Sequence, residues 1–494
     1  MKSRTLDQTA PMAAATAVDL KRDPPAGLAC GGAARPAPAD DAADVSVGLE
    51  LKFLLLHPPP GPPPSSARDR HGPAADAEAL QQQQRLAYDA VARTINRTGS
   101  QKAVSIHDIE AAGRQEREYW PSHWIVKKAN SVEPSTPEDL RLPRGSLVPV
   151  ELTSPRLRWR DLASAPPSSR KDKDRAESPI HVVLAALKRA HQTRVNYTCD
   201  VHVHIGRIDG QPLSLRTLKR LATLLWLAEP TLRSIRNPHS PNFTNTYTWG
   251  AELRRHSRLA TAMSRSTPPA DREEALRCLS STAPSCADTA EAAELAAYLP
   301  APAADAVRTV WRAASFTELG RLLSGPDRQF RRLGFNFSAF GGEDERALVS
   351  PRTVEFRVLE GTLRDALIGG WVHICCALVE LAGGGGESFV NPDPAAPRPR
   401  FRDVVRRLGD AEHMLVPVAT PAPVAAQQGG GQSKPPYPPP PLLEPRDAAS
   451  AFSELLGWAG VDAAISAPFQ TKIRQDRELG AAAEAAAGSG GGSD

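Results

Sequence analysis

Hydrophobic and polar residues alternate with a period of two in five separated segments, the pattern of strands that bury one face. In segment 45–56, Val45, Val47, Leu49, Leu51 and Phe53 share one face, and Glu50 and Lys52 project from the other. In segment 147–155, Val148, Val150 and Leu152 are apolar and Glu151 faces away. In segment 199–206 (CDVHVHIG), Val201, Val203 and Ile205 point toward a core, while Asp200, His202 and His204 lie together on the opposite side. In segment 352–363, Val354, Phe356 and Val358 pack, and Thr353, Glu355 and Arg357 line up oppositely. A fifth segment, 332–340, buries Phe335 and Phe337 and presents Asn336. Amphipathic strands are normally half solvated. Polar faces made of Glu, His, Asn and Arg, rather than Ser, Thr and Lys, point to a site built on a sheet.

Elsewhere the apolar period is helical. The spacing predicts helices over 78–97, with Leu86, Ala90 and Val91 inward, over 179–194, and over 214–228, with Leu215, Leu218, Ala222 and Leu225 buried. A further strong helix is predicted over 363–382 through Trp371, Ile374, Leu378 and Leu381. Residues 268–325 read as Ala-rich helices broken by turns, 229–250 as a turn-rich loop, and Trp124 and Val126 mark a short strand. The resulting fold class is α+β: a largely antiparallel sheet, with helices 214–228 and 363–382 on its apolar face and a polar cleft on the other.

The chain has 494 residues, with 47 prolines and 35 glycines gathered in unpatterned stretches. These predict a disordered N-terminal region over 1–43, a proline-rich insertion over 58–76 within a folded domain of 44–382, and a flexible Gly/Pro-rich insertion over 383–445. Short helices follow over 446–478, then a disordered tail over 479–494. The net charge of +4 is interspersed, which argues against nucleic acid as a partner, and the basic run 156–175 reads as a solvated loop. Six cysteines follow neither disulfide nor zinc spacing; Cys375 and Cys376 sit in a helix pattern as packing residues. With no signal-peptide pattern and no run of membrane-spanning length, the expectation is an intracellular, cytoplasmic chain with no membrane partner. Oligomeric state is open.

Two imidazoles side by side on a strand suit metal or phosphate chemistry, although solvated or structurally paired histidines show the same spacing. Six motifs in order narrow the choice: GLELKF (48–53), WIVKKANS (124–131), ELTSP (151–155), CDVHVHIG (199–206), RSIRN (233–237) and VEFRVLEGT (354–362). Together they resemble the amidoligase family found widely in fungi, carboxylate–amine ligases with a glutamine-synthetase-like fold. The resemblance spans about residues 45–382. It implies ATP- and Mg²⁺-dependent joining of a carboxylate to an amine through an acyl phosphate. The carboxylate and amine substrates, whether peptide, protein side chain or metabolite, are not named by the motifs.

Carried onto this chain, the resemblance makes Glu50, Glu151, His202 and Glu355 metal ligands, because hard Mg²⁺ prefers carboxylate oxygens with an occasional imidazole. His204, Arg357 and Asn336 become catalytic candidates, and Arg236, Asn237, Arg357 and Lys52 become candidates for holding nucleotide or substrate. Three positions depart from the pattern: Lys52 replaces the second Glu of the first motif, Ala129 replaces an Asp of the second, and Asp200 replaces a Gly of the fourth. Lys52 repels a nearby dication and either holds a phosphate itself or marks a degenerate ligase kept as a binding or regulatory module. A third reading is hydrolytic zinc chemistry at His202 and His204, which needs a further ligand beside the pair.

Overall fold

The computed structural model describes residues 45–57, 73–143, 145–163, 177–243, 251–326, 333–341, 352–384, 400–412 and 445–489. The expected segments 1–43 and most of 58–76 lie outside these residues.

The strands are β1 (Val45–Leu56), β2 (Ala103–Ser105), β3 (Trp124–Lys127), β4 (Leu147–Thr153), β5 (Leu157–Arg158), β6 (Thr193–Arg194), β7 (Val201–Arg207), β8 (Phe335–Asn336) and β9 (Val354–Phe356). They form one open, mixed but mostly antiparallel sheet in the order β2-β3-β4-β1-β7-β9-β8, with β5 and β6 paired to the ends of β1. Only β2 and β3 run parallel among the described pairs. All five alternating segments belong to this sheet, in the register their alternation demands.

The apolar face carries the core. Val45, Val47, Leu49, Leu51, Phe53, Val148, Val150, Leu152, Val201, Val203, Ile205, Val354 and Phe356 join one cluster with helices α1 (Pro73–Asn96), α2 (Pro179–Ala190), α3 (Leu215–Arg233) and α4 (Asp365–Gly383). Helix α3 is buried nearly all round, and it continues through Pro230 to Arg233, one turn past the predicted end. Helix α4 stops at Gly384, whose φ of 93° suits the left-handed C-terminal cap that glycine adopts without strain. Among the described residues α4 is long and apolar enough to cross a membrane, with mean hydropathy 1.7, yet 78% of that stretch is buried inside the fold. Cys375 and Cys376 are packing residues, as expected.

Three expectations need correction. Of the three residues expected inward on α1, Val91 is buried and Ala90 half-buried, but Leu86 is exposed; Ala87, Tyr88, Ala92 and Ile95 complete the buried face, which is rotated from the predicted one. The segment predicted as a flexible insertion contains α5 (Phe401–Glu412), whose Phe401, Val404, Val405 and Leu408 enter the core. The C-terminal part forms α6 (Pro445–Trp458) and α7 (Ala463–Ser489), so helix replaces most of the coil expected after 479.

The opposite face of the sheet is divided. At one end Leu54, Ala129, Val132, Leu147 and Cys199 form a second, separate apolar cluster. Beyond it, the same face turns polar.

Candidate metal and phosphate site

Strand register assembles this polar surface. Glu50 stands directly opposite His202, and His204 directly opposite Glu355, which in turn faces Asn336. Carboxylates and imidazoles on neighbouring strands therefore meet without any loop having to place them. His202 Nδ1 lies 2.9 Å from Glu50 Oε2 and 3.2 Å from Glu355 Oε1. His204 Nε2 approaches the same two carboxylates, 3.3 Å from Glu50 Oε1 and 3.8 Å from Glu355 Oε1. Glu50, His204 and Glu355 each offer a ligand atom within 4.8 Å of the others. His202 lies deeper, only 1% exposed, against 24% for His204.

Neighbours orient these groups. Asn336 Nδ2 donates to Glu355 Oε2 at 2.7 Å, and its Oδ1 accepts from the Ser338 amide. Arg357 Nη1 reaches Glu355 Oε1 at 2.5 Å, a buried ion pair along one strand. The two groups expected to serve a cation and a phosphate meet each other, and Glu355 Oε2 also accepts from Asn336. His204 Nδ1 lies 3.2 Å from Thr353 Oγ1. A proton on that nitrogen leaves Nε2 free toward the carboxylates, the way a metal-ligating histidine is usually fixed.

The charges reinforce one another. Burial opposes ionisation of Glu50, but the two imidazoles outweigh it and hold the carboxyl well below its ordinary range. For Glu355, burial is outweighed chiefly by Arg357, then by His204 and His202. For His204, burial favours the neutral ring, but Glu355 and Glu50 move its pKa upward.

A second row lies beside the first. Lys52 stands opposite Glu151, which stands opposite Lys127. Lys127 Nζ bonds Glu116 at 2.8 Å and lies 3.4 Å from Glu151. Burial and the Glu50 charge raise the Glu151 pKa against the pull of Lys127 and Lys52. Glu151 thus sits between two lysines rather than inside the carboxylate–imidazole group. Lys52 is buried on the polar face, and Ala129 is wholly buried in the apolar cluster.

The RSIRN loop lies near Asp200, Glu360 and Glu252, whose charges act on Arg236. Arg236 is 2% exposed and points Nη1 at the Val358 carbonyl, 3.4 Å away. The Asn237 amide donates to Glu360, which also accepts from Lys472 of α7. Gly361 is required next to them: a Cβ there would lie 2.3 Å from Cys199 Cβ. Thr353 faces the cluster as its alternation indicates. Lys127 and Glu116 were missed, although Lys127 is recoverable from the alternation in WIVKK. Nothing in the local sequence of α7 signals Lys472.

Compared with protein-family models, curated proteins and solved structures, the chain has no match.

Proposed function

We propose that this chain is an ATP- and Mg²⁺-dependent ligase that joins a carboxylate to an amine, built on a glutamine-synthetase-like sheet and related to the amidoligases. The observation that carries this reading is the convergence of Glu50, His204 and Glu355 within 4.8 Å on one sheet face, with the Arg357 guanidinium beside them. Two carboxylates and an imidazole suit a hard divalent ion that keeps open positions for water and phosphate. Glu50 and Glu355 would hold the ion, with His202 or His204 as the nitrogen ligand. The ion would neutralise phosphate charge during transfer of the terminal phosphoryl group of ATP to the substrate carboxylate. Arg357 keeps Glu355 ionised and adds a fixed positive charge to the same surface. Asn336 fixes the Glu355 rotamer, and Thr353 fixes the His204 ring.

The second reading is a binding module that has lost turnover. It is favoured by Lys52 and Lys127 flanking Glu151, and by Ala129 in an apolar cluster, where an acid would be out of place. Calorimetric titration with Mg·ATP, followed by assay of phosphate release with mixed carboxylates and amines, separates the two. The ligase reading expects binding with release, and the module reading binding without it. Absence of Mg·ATP binding in the wild type would contradict both. Lys52→Glu reverses the charge beside Glu151, so it is expected to raise Mg²⁺ affinity tenfold or more. Unchanged Mg²⁺ affinity with nucleotide binding intact would place Lys52 outside the site.

A further inference from the structure

Asp200 is 1% exposed, and its Oδ2 is buried without a hydrogen-bond partner. The Nε2 of His202, two residues along on the same face, is buried and likewise makes no hydrogen bond. These two atoms lie 3.6 Å apart. Arg236 and Arg357 offset the Asp200 charge, but a buried carboxylate oxygen and a buried ring nitrogen without hydrogen bonds still carry a desolvation cost unless they serve one another. A small rotation of either side chain closes 3.6 Å to a hydrogen bond, and such bonds are often long before a ligand arrives.

The other ring nitrogen supplies an independent observation. Arg357 Nη1 approaches His202 Nδ1 at 3.4 Å. A guanidinium has donors only, so this contact is favourable only when Nδ1 presents a lone pair. Nδ1 also faces Glu50 Oε2 at 2.9 Å and Glu355 Oε1 at 3.2 Å. The Glu50 contact is a hydrogen bond when Nδ1 carries a ring proton; with a cation among these oxygens, Nδ1 presents its lone pair to the ion instead.

Building on the cation site proposed above, we infer that Asp200 is a positioning residue: its carboxylate keeps a proton on His202 Nε2, which turns Nδ1 toward Glu50 and Glu355 as a cation ligand. Without Asp200, the ring proton moves to Nδ1, where Glu50 captures it and the nitrogen is lost to the ion. Outer carboxylates of this kind tune metal affinity by 10- to 100-fold.

The test uses the full chain and Mn²⁺, with bound ion read from loss of the free-ion electron-spin-resonance signal. Asp200→Ala is expected to weaken Mn²⁺ binding about 10- to 100-fold, and Asp200→Asn, which retains an acceptor oxygen, to recover part of it. Wild-type affinity in a folded Asp200→Ala chain would overturn the inference. A second readout stands whether or not wild type binds Mn²⁺: long-range proton–nitrogen spectra of chain labelled with ¹⁵N-histidine, His202 being assigned from a His202→Gln variant. Nε2 of His202 is expected to carry a proton in the wild type and none in Asp200→Ala. A bare Nε2 in the wild type, or a protonated one in Asp200→Ala, would overturn it. Failure of Mn²⁺ to bind wild type with the spectra as expected would remove the proposed cation site and leave Asp200 its hold on the ring.

Discussion

Glu355 and Arg357 show why a polar strand face is more than a row of solvated charges. Both are nearly inaccessible, and they meet at 2.5 Å. Removing one partner of a buried pair leaves the other charge uncompensated, at a cost of about 3–5 kcal/mol. Arg357→Met is therefore expected to lower unfolding free energy by about that amount in urea titrations, while Arg357→Lys keeps the charge and loses less. Equal stabilities for the two variants would show that the ion pair contributes little. Acid stability follows from the same groups. Glu50 and Glu355 are held below the ordinary carboxylate range, by the imidazoles and by Arg357 respectively, against the effect of burial. Their contribution is complete above the unfolded carboxylate pKa of about 4.3 and is lost as pH falls through the lower folded values. Urea midpoints measured below about pH 4.5 should fall on acidification, and less steeply in Glu355→Gln; nearer neutrality, protonation of His204, whose pKa is raised, works in the opposite direction. Identical profiles would contradict this assignment. At this scale much of the site was legible, because strand alternation alone put Glu50, His202, His204, Glu355 and Asn336 on one face. What alternation cannot give is which partner each side chain chooses. The Glu355–Arg357 pair and the lysines flanking Glu151 depend on side-chain reach and on the register of three strands.

The five alternating segments follow from apolar period, since a strand with one apolar face leaves a clear imprint. Helices α3 and α4, buried over most of their surface, follow from the density of apolar residues at helical spacing. Helix α1 follows from the apolar period and buries Val91 as expected, but small Ala87 and Ala92 are buried where Leu86 is not, and bulk is a poor guide where packing is close. Helix α5 was hidden by its Gly- and Pro-rich flanks, although Phe401, Val404, Val405 and Leu408 repeat at helical spacing. Its Phe401 ring lies 5.3 Å from the Arg220 guanidinium of α3, and its Gly409 approaches the Tyr298 carbonyl too closely for any Cβ. Burying four apolar side chains contributes about 1.5–3 kcal/mol each. Deleting residues 395–440 is therefore expected to lower the melting temperature by roughly 10 °C or more. A shift of only a few degrees would mean that α5 adds little to the fold.

At the scale of the molecule, the one sheet among the described residues separates two environments. One face is sealed by helices into the main core, and the other holds an apolar cluster at one end and a charged surface beside it. Helix α7, the last described element, reaches back to that surface's flank: Lys472 bonds the Ile235 carbonyl and Glu360, tying the RSIRN loop to the segment that follows β9. No feature of the sequence near residue 472 announces that contact, because it joins positions 112 residues apart through tertiary packing alone. The ligase proposed above requires the charged surface to receive a divalent ion and the phosphates of a nucleotide. Anomalous diffraction from crystals grown with Mn²⁺ and a non-hydrolysable ATP analogue tests it most directly. The prediction is a Mn²⁺ peak bounded by Glu50, Glu355 and a histidine of β7, with the analogue's phosphates against it and near Arg357. Nucleotide bound elsewhere on the chain, or a Mn²⁺ peak remote from Glu50 and Glu355, would contradict it.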